Sequence, residues 1–489
     1  MDLSIFYQPV LIEDATIPGP IARLPPELVA AIIYWYNLSL YNTRPLEQSV
    51  TSAWLLPRHI CSAWRHAALT TPQISAFICL LNPLWVQETL VRAGPDLSLH
   101  IYEPTPCFSD PDAAFEMRLP VLEQFARIEN AAFSLDERGV QLVSSNLSGG
   151  PLRPSRLRSL ELRFRVRPAL WQSITLLFAG FTFTDLITLS FSYGSVRAMA
   201  PTLAPSLRRL HIQKPERVSP AYVAEALAPL VQLEELVLDE VFGRSFQPTM
   251  WPLQPPAPLP RTLSLPHLRR LDIHDSHSHE GAQLLQHTSY PATASLRVHL
   301  DSFAPQQLCD LAAETVAVKL CTLAAEVSLR SVLLRMDQDL NGLPIVRITA
   351  WVQRLSLEDL RAEGSASAAI FDASLTLLPA AIAGLQARLT VPLSEVETAL
   401  MSEPVPVSGS ASYWAAAASA LENVEELGVE RGSHGEHSGF ALAQEVVPIG
   451  WAPGETVPES ERFRKLRTLE VYEVQPTGLF AAMLAGSVA

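Results

Sequence analysis

The sequence predicts an α/β protein in which a small N-terminal helical domain precedes a solenoid with a curved parallel sheet. Two observations carry this prediction. The pattern L-x-x-L-x-L, with Val, Ile or Phe replacing some leucines, recurs from residue 157 onward, and segments with helical spacing separate its early copies. Ahead of the first copy, residues 21–80 hold two apolar segments with the spacing of helices and no copy of the pattern.

Composition narrows the classes of function. The 489 residues are 48% hydrophobic, so a large core is within reach. A net charge of −14 disfavours nucleic-acid binding, which needs cations against phosphates. Neither a signal peptide nor a membrane-spanning run is predicted. Five cysteines without a C-x-x-C motif fit a reducing, intracellular compartment, cytoplasmic or nuclear.

The spacing of the pattern indicates leucine-rich repeats. Its first five middle positions are Leu160, Leu189, Leu210, Leu236 and Leu271, which gives steps of 29, 21, 26 and 35 residues. Leucine-rich repeats have a period of about 20–29 residues, and the long last step contains a Pro-rich insertion at residues 245–262. Each L-x-L predicts a short strand. Because one unit cannot bury its own apolar face, neighbouring units are expected to stack into a parallel sheet.

These patterns divide the chain into five parts. Residues 1–20 form an N-terminal tail, and residues 21–80 form the helical domain. Residues 81–150 cap the start of the solenoid, since NPLWVQETLVRAGPDLSLHIY predicts helix, turn and strand. The leucine-rich-repeat-like solenoid covers residues 151–480, and residues 481–489 form a C-terminal tail.

Three further expectations concern the solenoid. The pattern is weaker in residues 290–420, which are interpreted as degenerate repeats. Segments 219–232 and 279–290 predict helices between strands. Residues 250–262 are expected to form an exposed loop, because proline removes donors from a sheet.

The helical domain has more apolar surface than it can bury. In IARLPPELVAAIIYWYN, Leu28, Ile32 and Tyr36 recur at i, i+4 and i+8, with Ile33 and Trp35 beside them. A loop is predicted from Leu38 to Ser49. In the second segment, ICSAWRHAALTTP, Ile60, Cys61 and Trp64 share one face, and ISAFICL predicts a short strand or closing turn. So small a domain is expected to pack on a neighbour or a partner.

This arrangement resembles the F-box of the large fungal group of F-box proteins. The second segment matches the frame of that group in order, at Ile60, Cys61, Trp64, Arg65, Ala68, Leu69, Thr71 and Pro72. Ile74-Ser75 stands where the group usually has Leu-Trp. Two generic amphipathic helices are the alternative.

The resemblance implies a partner. F-box helices dock on a Skp-type linker protein, which connects them to a cullin–RING ubiquitin ligase. The contact residues implied by the resemblance are Leu24, Pro25, Leu28, Ile32, Ile60, Cys61 and Trp64. Trp64 could serve the internal core, the interface or both.

The target-binding surface is expected on the solvent-facing strand positions of the repeats. The predicted contact residues are Glu161, Arg163, Arg209, His211, Glu235, Asp239, Arg270 and Asp272. The C-terminal repeats add Glu426, Glu430, Glu470 and Tyr472. Their mixed charge suggests a polar target protein, and simple solvation of a sheet face is the alternative.

No motif predicts catalysis, a cofactor or a metal. The segment DIHDSHSHEGAQLLQH is rich in potential ligands, but it lacks an H-E-x-x-H spacing and follows a repeat strand, where polar residues are expected. The predicted function is therefore a non-catalytic ligase adaptor. The alternatives are a repeat scaffold without ligase binding and a hydrolase within residues 290–420.

Overall fold

The structure is a computed structural model divided into two compact units. Unit 1 comprises Met1–Ser173 and Gly180–Asp185, and unit 2 comprises Ile174–Ala179 and Leu186–Ala489. Residue 150, the predicted end of the cap, lies inside unit 1. The residues described are 24–42, 60–80, 82–103, 111–141, 153–154, 156–166, 170–216, 218–242, 259, 262–275, 278–300, 306–338, 344–362, 369–376, 393–403, 414, 417, 419–421, 423–432 and 465–474.

Unit 1 combines helices with a parallel sheet. Its helices are α1 (Pro26–Asn42), α2 (Ser62–Thr70), α3 (Pro72–Ser75), α4 (Pro83–Ala93) and α5 (Pro111–Leu122), and a 3-10 turn follows at Phe125–Arg127. Its strands are β1 (Phe77–Cys79), β2 (Leu99–Tyr102), β3 (Ile128–Asp136), β4 (Arg153–Pro154), β5 (Ser159–Arg165) and β6 (Phe181–Thr182). The sheet order is β1-β2-β3-β5, and β4 pairs with β6 separately. Helix α6 (Trp171–Ala179) belongs partly to each unit.

The two predicted N-terminal helices form, and they share a small core. Val29 and Ile33 from α1 are buried in one cluster with Trp64, Ala67 and Ala68 from α2 and Ile74 from α3. Helix α1 runs to Asn42, so the loop predicted from Leu38 to Ser49 is wrong over residues 38–42, and residues 43–49 lie outside the described residues. Leu38 and Leu40 extend the helix because they pack, with Tyr34, against the apolar cluster of Phe77, Cys79, Tyr102 and Ala132 on the sheet.

The predicted helix, turn and strand of the cap are present. Asn82 caps α4, since its side chain accepts hydrogen bonds from the backbone N–H groups of Leu84 and Trp85 at 2.9 and 3.4 Å. The helix ends at Gly94, whose φ of +67° is in the range that glycine adopts without strain. Strand β2 then pairs in parallel with β1, a short strand at Phe77–Cys79 within the segment ISAFICL, for which a short strand or closing turn was expected.

Unit 2 contains the longer sheet. Its strands are β7 (Thr188–Ser192), β8 (Arg209–Gln213), β9 (Glu235–Asp239), β10 (Leu263–Ser264), β11 (Arg270–Asp275), β12 (Thr288–Ser289), β13 (Ser295–Leu300), β14 (Ser331–Gln338), β15 (Pro344–Trp351), β16 (Phe371–Thr376), β17 (Thr398–Glu403), β18 (Glu426–Gly432) and β19 (Thr468–Val474). Its helices are α7 (Val196–Met199), α8 (Pro220–Leu227), α9 (Ser278–Gln286), α10 (Gln306–Glu326) and α11 (Leu357–Arg361), with a 3-10 turn at Ala200–Thr202. The strand order is β7-β8-β9-β11-β13-β16-β15-β14-β17-β18-β19, and β10 pairs with β12.

The register of these strands is that of leucine-rich repeats. Leu189, Leu210, Leu236 and Leu271 pair directly across the parallel strands β7, β8, β9 and β11. The leading leucine of each pattern is also buried, and the N–H of Leu233 donates to the carbonyl of Leu230 in the turn before its strand. The fold is therefore a mixed α/β fold with a long, leucine-rich-repeat-like parallel sheet. The predicted helices at 219–232 and 279–290 are present as α8 and α9.

Two expectations for the solenoid need correction. Strand β15 pairs antiparallel with both β14 and β16, so residues 344–351 are not a degenerate repeat. Only residues 339–343 connect β14 to β15, and so short a connection joins antiparallel neighbours. Most of the Pro-rich insertion lies outside the described residues, but Leu259 is buried, so an exposed loop is wrong at that residue.

Candidate functional site

One side of α1 carries three large apolar side chains that are exposed. Leu28, Ile32 and Trp35 follow one another at i, i+4 and i+7, so they form one stripe along the helix. Their exposed fractions are 52%, 44% and 65%. We call these three residues the helix stripe. Contiguous apolar surface of this kind is typical of a site that binds another protein.

The helix stripe cannot turn inward, because other residues of α1 already fill the core. Val29 and Ile33 are 2% and 1% exposed in the cluster with Trp64. Rotating the helix to bury Leu28 and Ile32 would expose Val29 and Ile33. The sequence therefore supplies more apolar surface than the domain can bury, as its pattern predicted.

The seven predicted linker-contact residues fall into three groups. Pro25, Leu28, Ile32 and Ile60 are exposed. Leu24 and Cys61 are half-buried and pack against the internal cluster. Trp64 is 8% exposed and belongs to that cluster. Of the roles that the sequence left open for Trp64, its burial therefore supports packing in the internal core. Trp35 was omitted from the predicted contacts, although its position seven residues after Leu28 was a signal for it.

A second candidate surface is one side of the sheet in unit 2, which we call the charged face. Cross-strand pairing sets Arg209 beside Glu235 and Glu235 beside Arg270 in one row. Side chains that pair directly across parallel strands point to the same side of a sheet. The neighbouring rows are His211, Val237, Asp272 and Arg297, and Gln213, Asp239, His274 and His299. The charged face thus holds six of the eight predicted target contacts.

Ion pairs organise the charged face. Arg270 contacts Glu235 at 3.1 Å and Asp272 at 2.5 Å, and its hydrogen bond to Asp272 raises the pKa of the Arg270 guanidinium. His274 Nδ1 lies 2.9 Å from Asp239 Oδ1. Partial burial acts to raise the pKa of the Asp239 carboxyl, but hydrogen bonds from His274 and Gln213, together with the charges of His274 and Lys214, lower it overall. Arg209 lies 3.9 Å from Glu235 with a mostly exposed side chain, so it is the cation most available to a partner.

The other two predicted target contacts lie in unit 1. Glu161 and Arg163 are alternate residues of β5, and they form an ion pair at 3.3 Å. Their neighbours on β3 are Ala132 and Ser134. This part of the unit 1 sheet is therefore less charged than the charged face of unit 2.

A short segment covers the C-terminal part of the charged side of the unit 2 sheet. We call residues 354–361, which include α11, the strap. Leu357 and Leu360 of the strap are buried with Leu333, Trp351 and Leu400 of the sheet. A Cβ atom on Gly428 would lie 2.7 Å from Leu400 Cδ1 and 3.2 Å from Leu357 Cδ2. Glycine at this position therefore gives the strap room to approach the sheet.

Ion pairs hold both ends of the strap. Arg354 contacts Glu426 at 2.8 Å and Glu425 at 3.3 Å. Arg361 contacts Glu430 at 3.2 Å and lies 4.5 Å from the centre of the Tyr472 ring. The C-terminal positions predicted to face a target are thus already engaged within the chain. We call the part of the charged face on β7, β8, β9, β11 and β13 the open part. In the sheet, β16 and β15 separate it from β14, β17 and β18 under the strap.

The potential metal ligands of residues 272–287 are divided between different surroundings. Asp272 and His274 belong to the charged face, whereas Asp275 and His279 are buried. His277 lies outside the described residues. Within the described ranges, no three His, Cys, Asp or Glu side chains are grouped to hold a metal ion. None of the helices in those ranges combines the length and hydropathy of a membrane span.

Comparisons with known proteins add little to this description. No protein-family model matches the chain, and no curated protein matches it. Among solved structures, the chain is similar to the leucine-rich repeat-containing protein LegL7 from Legionella pneumophila, with 14% identity, covering 63% of this chain and 87% of that chain. The TM-score is 0.23. The leucine-rich-repeat assignment rests on the strand register and not on this similarity.

Proposed function

We propose that this protein is a non-catalytic adaptor of a Skp–cullin–F-box ubiquitin ligase. The helical domain docks on a Skp-type linker protein, and the open part of the charged face holds a target protein. The observation that carries this proposal is the helix stripe, which is exposed on a helix whose opposite side is already buried. Such an adaptor acts by raising the effective concentration of the target near the ligase.

The resemblance of residues 21–80 to the fungal F-box supports this proposal. Among the contacts that the resemblance implies, Leu28, Ile32 and Ile60 are exposed and available to a partner. Leu24 and Cys61 lie where the exposed surface meets the internal cluster. Cys61 acts there as a small apolar side chain.

Linker binding by a double variant tests the docking proposal. Leu28→Asp with Ile32→Asp places two charges in the apolar contact, and an unpaired charge in such a contact is strongly unfavourable. We expect the dissociation constant for a purified Skp-type linker protein to rise at least about hundredfold. The same protein should keep its thermal unfolding midpoint, because both side chains are exposed.

The matched control is Leu84→Asp with Val91→Asp on α4. These residues are also apolar and are 76% and 81% exposed. Linker binding should not change in this control. Equal losses in both double variants, or no loss in the first, would contradict docking through the helix stripe.

The alternative function is a repeat scaffold that does not bind the ligase. The charged face lies in unit 2 and the helix stripe lies in unit 1. Target binding on the charged face therefore does not require the helix stripe, which supports this alternative. The linker measurement separates the two functions. A wild-type chain that binds no linker but still holds a target on the charged face is a scaffold.

Charge reversal tests the target-binding surface. Arg209→Glu with Arg270→Glu should reduce recovery of the target after proximity labelling in the source cells, while linker binding stays intact. Arg467→Glu, an exposed arginine of unit 2 outside the open part, is the control. Equal target recovery in all three proteins would exclude the open part as the target site.

A further inference from the structure

Unit 2 contains a pocket on the opposite side of the sheet from the charged face. Its volume is about 280 Å³, near the lower end of the roughly 300–1,000 Å³ typical of small-molecule pockets. Leu296 of β13 and Phe371 of β16 pair across the sheet and line the pocket. The next residue along β13, Arg297, pairs with Asp272 in the charged face. Because successive side chains of a strand alternate between sides, the pocket and the charged face are separate surfaces.

The pocket holds one cation that is only partly satisfied. The ammonium of Lys319, in α10, donates a hydrogen bond to the carbonyl of Thr288 at 2.7 Å and lies 5.1 Å from the centre of the Tyr290 ring. An ammonium has three N–H donors. Among the described residues, no carboxylate forms a salt bridge with it, although Glu326 also lines the pocket. Burial lowers the pKa of the Lys319 ammonium, because the charged form loses part of its hydration in this position.

The surroundings of Lys319 combine several polar side chains, among them Tyr290, Thr322 and Glu326, with an apolar floor. Tyr290 lines the pocket, and burial raises the pKa of its phenol far above the ordinary value, so it remains a neutral donor. Ala294, Leu296 and Phe371 are buried side chains of the floor. A ligand in this pocket would therefore meet donors near Lys319 and a mixture of polar and apolar side chains elsewhere.

We propose that this pocket binds a small organic molecule with one carboxylate and an apolar body. A single carboxylate matches the single ammonium, and it supplies acceptors for the N–H groups that Thr288 leaves unused. A second negative charge, as on a phosphate dianion, would have no matching cation and would lie in the same pocket as the carboxylate of Glu326. The apolar body would cover Leu296 and Phe371. This site is independent of the proposed ligase function, because neither the helix stripe nor the charged face contributes to it.

Benzoate and benzamide are suitable probes, because they have the same shape and differ in charge. Binding of each to the full-length protein is measured by saturation-transfer NMR with titration. We expect benzoate to bind at least about tenfold more tightly than benzamide, since a charge-assisted hydrogen bond is about twice as strong as a neutral one. Equal binding of the two probes, or no benzoate binding up to about 10 mM, would overturn the proposal.

Variants locate the probe in this pocket. Lys319→Met removes the charge and should weaken benzoate binding at least about tenfold, without a comparable effect on benzamide. Lys319→Arg keeps a cation and should retain the preference for benzoate, and Tyr290→Phe should weaken benzoate by a few-fold. The matched control Lys214→Met changes an exposed lysine outside the pocket and should leave the preference unchanged. Benzoate binding that survives Lys319→Met, or is lost equally in Lys214→Met, would place the probe elsewhere.

Discussion

Two parts of the same sheet face in unit 2 differ in how far their side chains are exposed to solvent. One cross-strand row runs through β8, β9 and β11 as His211, Val237 and Asp272, all of them half-buried on the open part. The same row continues through β14, β17 and β18 under the strap, where its residues are buried, as Leu333, Leu400 and Gly428. The backbone is alike in both parts. Side-chain type and the presence of the strap decide whether this face becomes a surface or a second small core.

The difference indicates how much of the sheet can bind a partner. Under the strap, Leu357 and Leu360 remove apolar side chains from water, and the flanking carboxylates pair with Arg354 and Arg361. On the open part, Arg209 keeps an exposed side chain. A target that binds this face should therefore contact the strands from β7 to β13 and not those from β17 to β19.

The largest expected effect distinguishes the two sides of the strands that carry the open part: one side is buried, and the other is the open part itself. Leu236→Ala removes a side chain that is 1% exposed and should lower the free energy of unfolding by about 2–5 kcal/mol. Arg209→Ala changes an exposed side chain on the neighbouring strand and should stay within about 0.5 kcal/mol. Chemical denaturation measures both. Similar losses in the two variants would mean that the assignment of buried and exposed sides to these strands is wrong.

A smaller effect is expected where the strap meets the sheet. Gly428→Ala places a Cβ atom 2.7 Å from Leu400 Cδ1, and such overpacking typically costs about 1–3 kcal/mol. Val237→Ala, in the same row on the open part, leaves no clash and should cost less than about 1 kcal/mol. Denaturation midpoints of the two variants test the order. A larger loss at Val237 would show that Leu400 and Leu357 leave room for a methyl group at position 428.

Removing one arginine should change stability little in either part of the face. It should weaken target binding only on the open part. Arg354→Ala and Arg270→Ala each remove ion pairs that are largely open to solvent, and such pairs contribute about 0–1 kcal/mol. Added salt should shrink both stability changes further. Recovery of the target should fall for Arg270→Ala and not for Arg354→Ala. The reverse result would assign the binding surface to the strap region.

The smallest effect is expected from the Pro-rich insertion. Leu236 of β9 pairs directly with Leu271 of β11, so the register between these strands is independent of the length of the insertion. Deleting residues 246–256, which spares the buried Leu259, should change the free energy of unfolding by no more than about 0.6 kcal/mol. Thermal unfolding measures the change. Collapse of the fold would show that the insertion packs on the repeats.

Much of the fold could be predicted, because the repeat motif specifies both strand and burial. Leu210, Leu236 and Leu271 occupy the buried, paired positions that their pattern implied. The strand at β17 was missed because Ala399 and Met401 stand where leucines were sought, although both are buried. The reversed direction of β15 was also missed, since an alternating pattern carries no information about strand direction.

The candidate site was predicted less completely than the fold. Leu28 and Ile32 were expected to be available because helical spacing put them on one side, and they are exposed. Trp64 has a core position, which spacing alone could not distinguish from an interface position. The strap was not predicted, because its short helix gives no sign of which surface it covers. Gly428 was one available signal, because it is a glycine where other repeats have a larger side chain, such as His211, Val237 or Asp272.

A single crosslinking measurement tests most directly whether the open part, and only the open part, binds the target. Gln213 on β8 and Glu430 on β18 belong to one cross-strand row, the first on the open part and the second paired with Arg361 of the strap. A photo-crosslinking amino acid is placed at each position in separate proteins, and both are irradiated in the source cells. We predict a crosslinked target at position 213 and none at position 430. A crosslink of equal yield at 430, or one at 430 alone, would contradict the account.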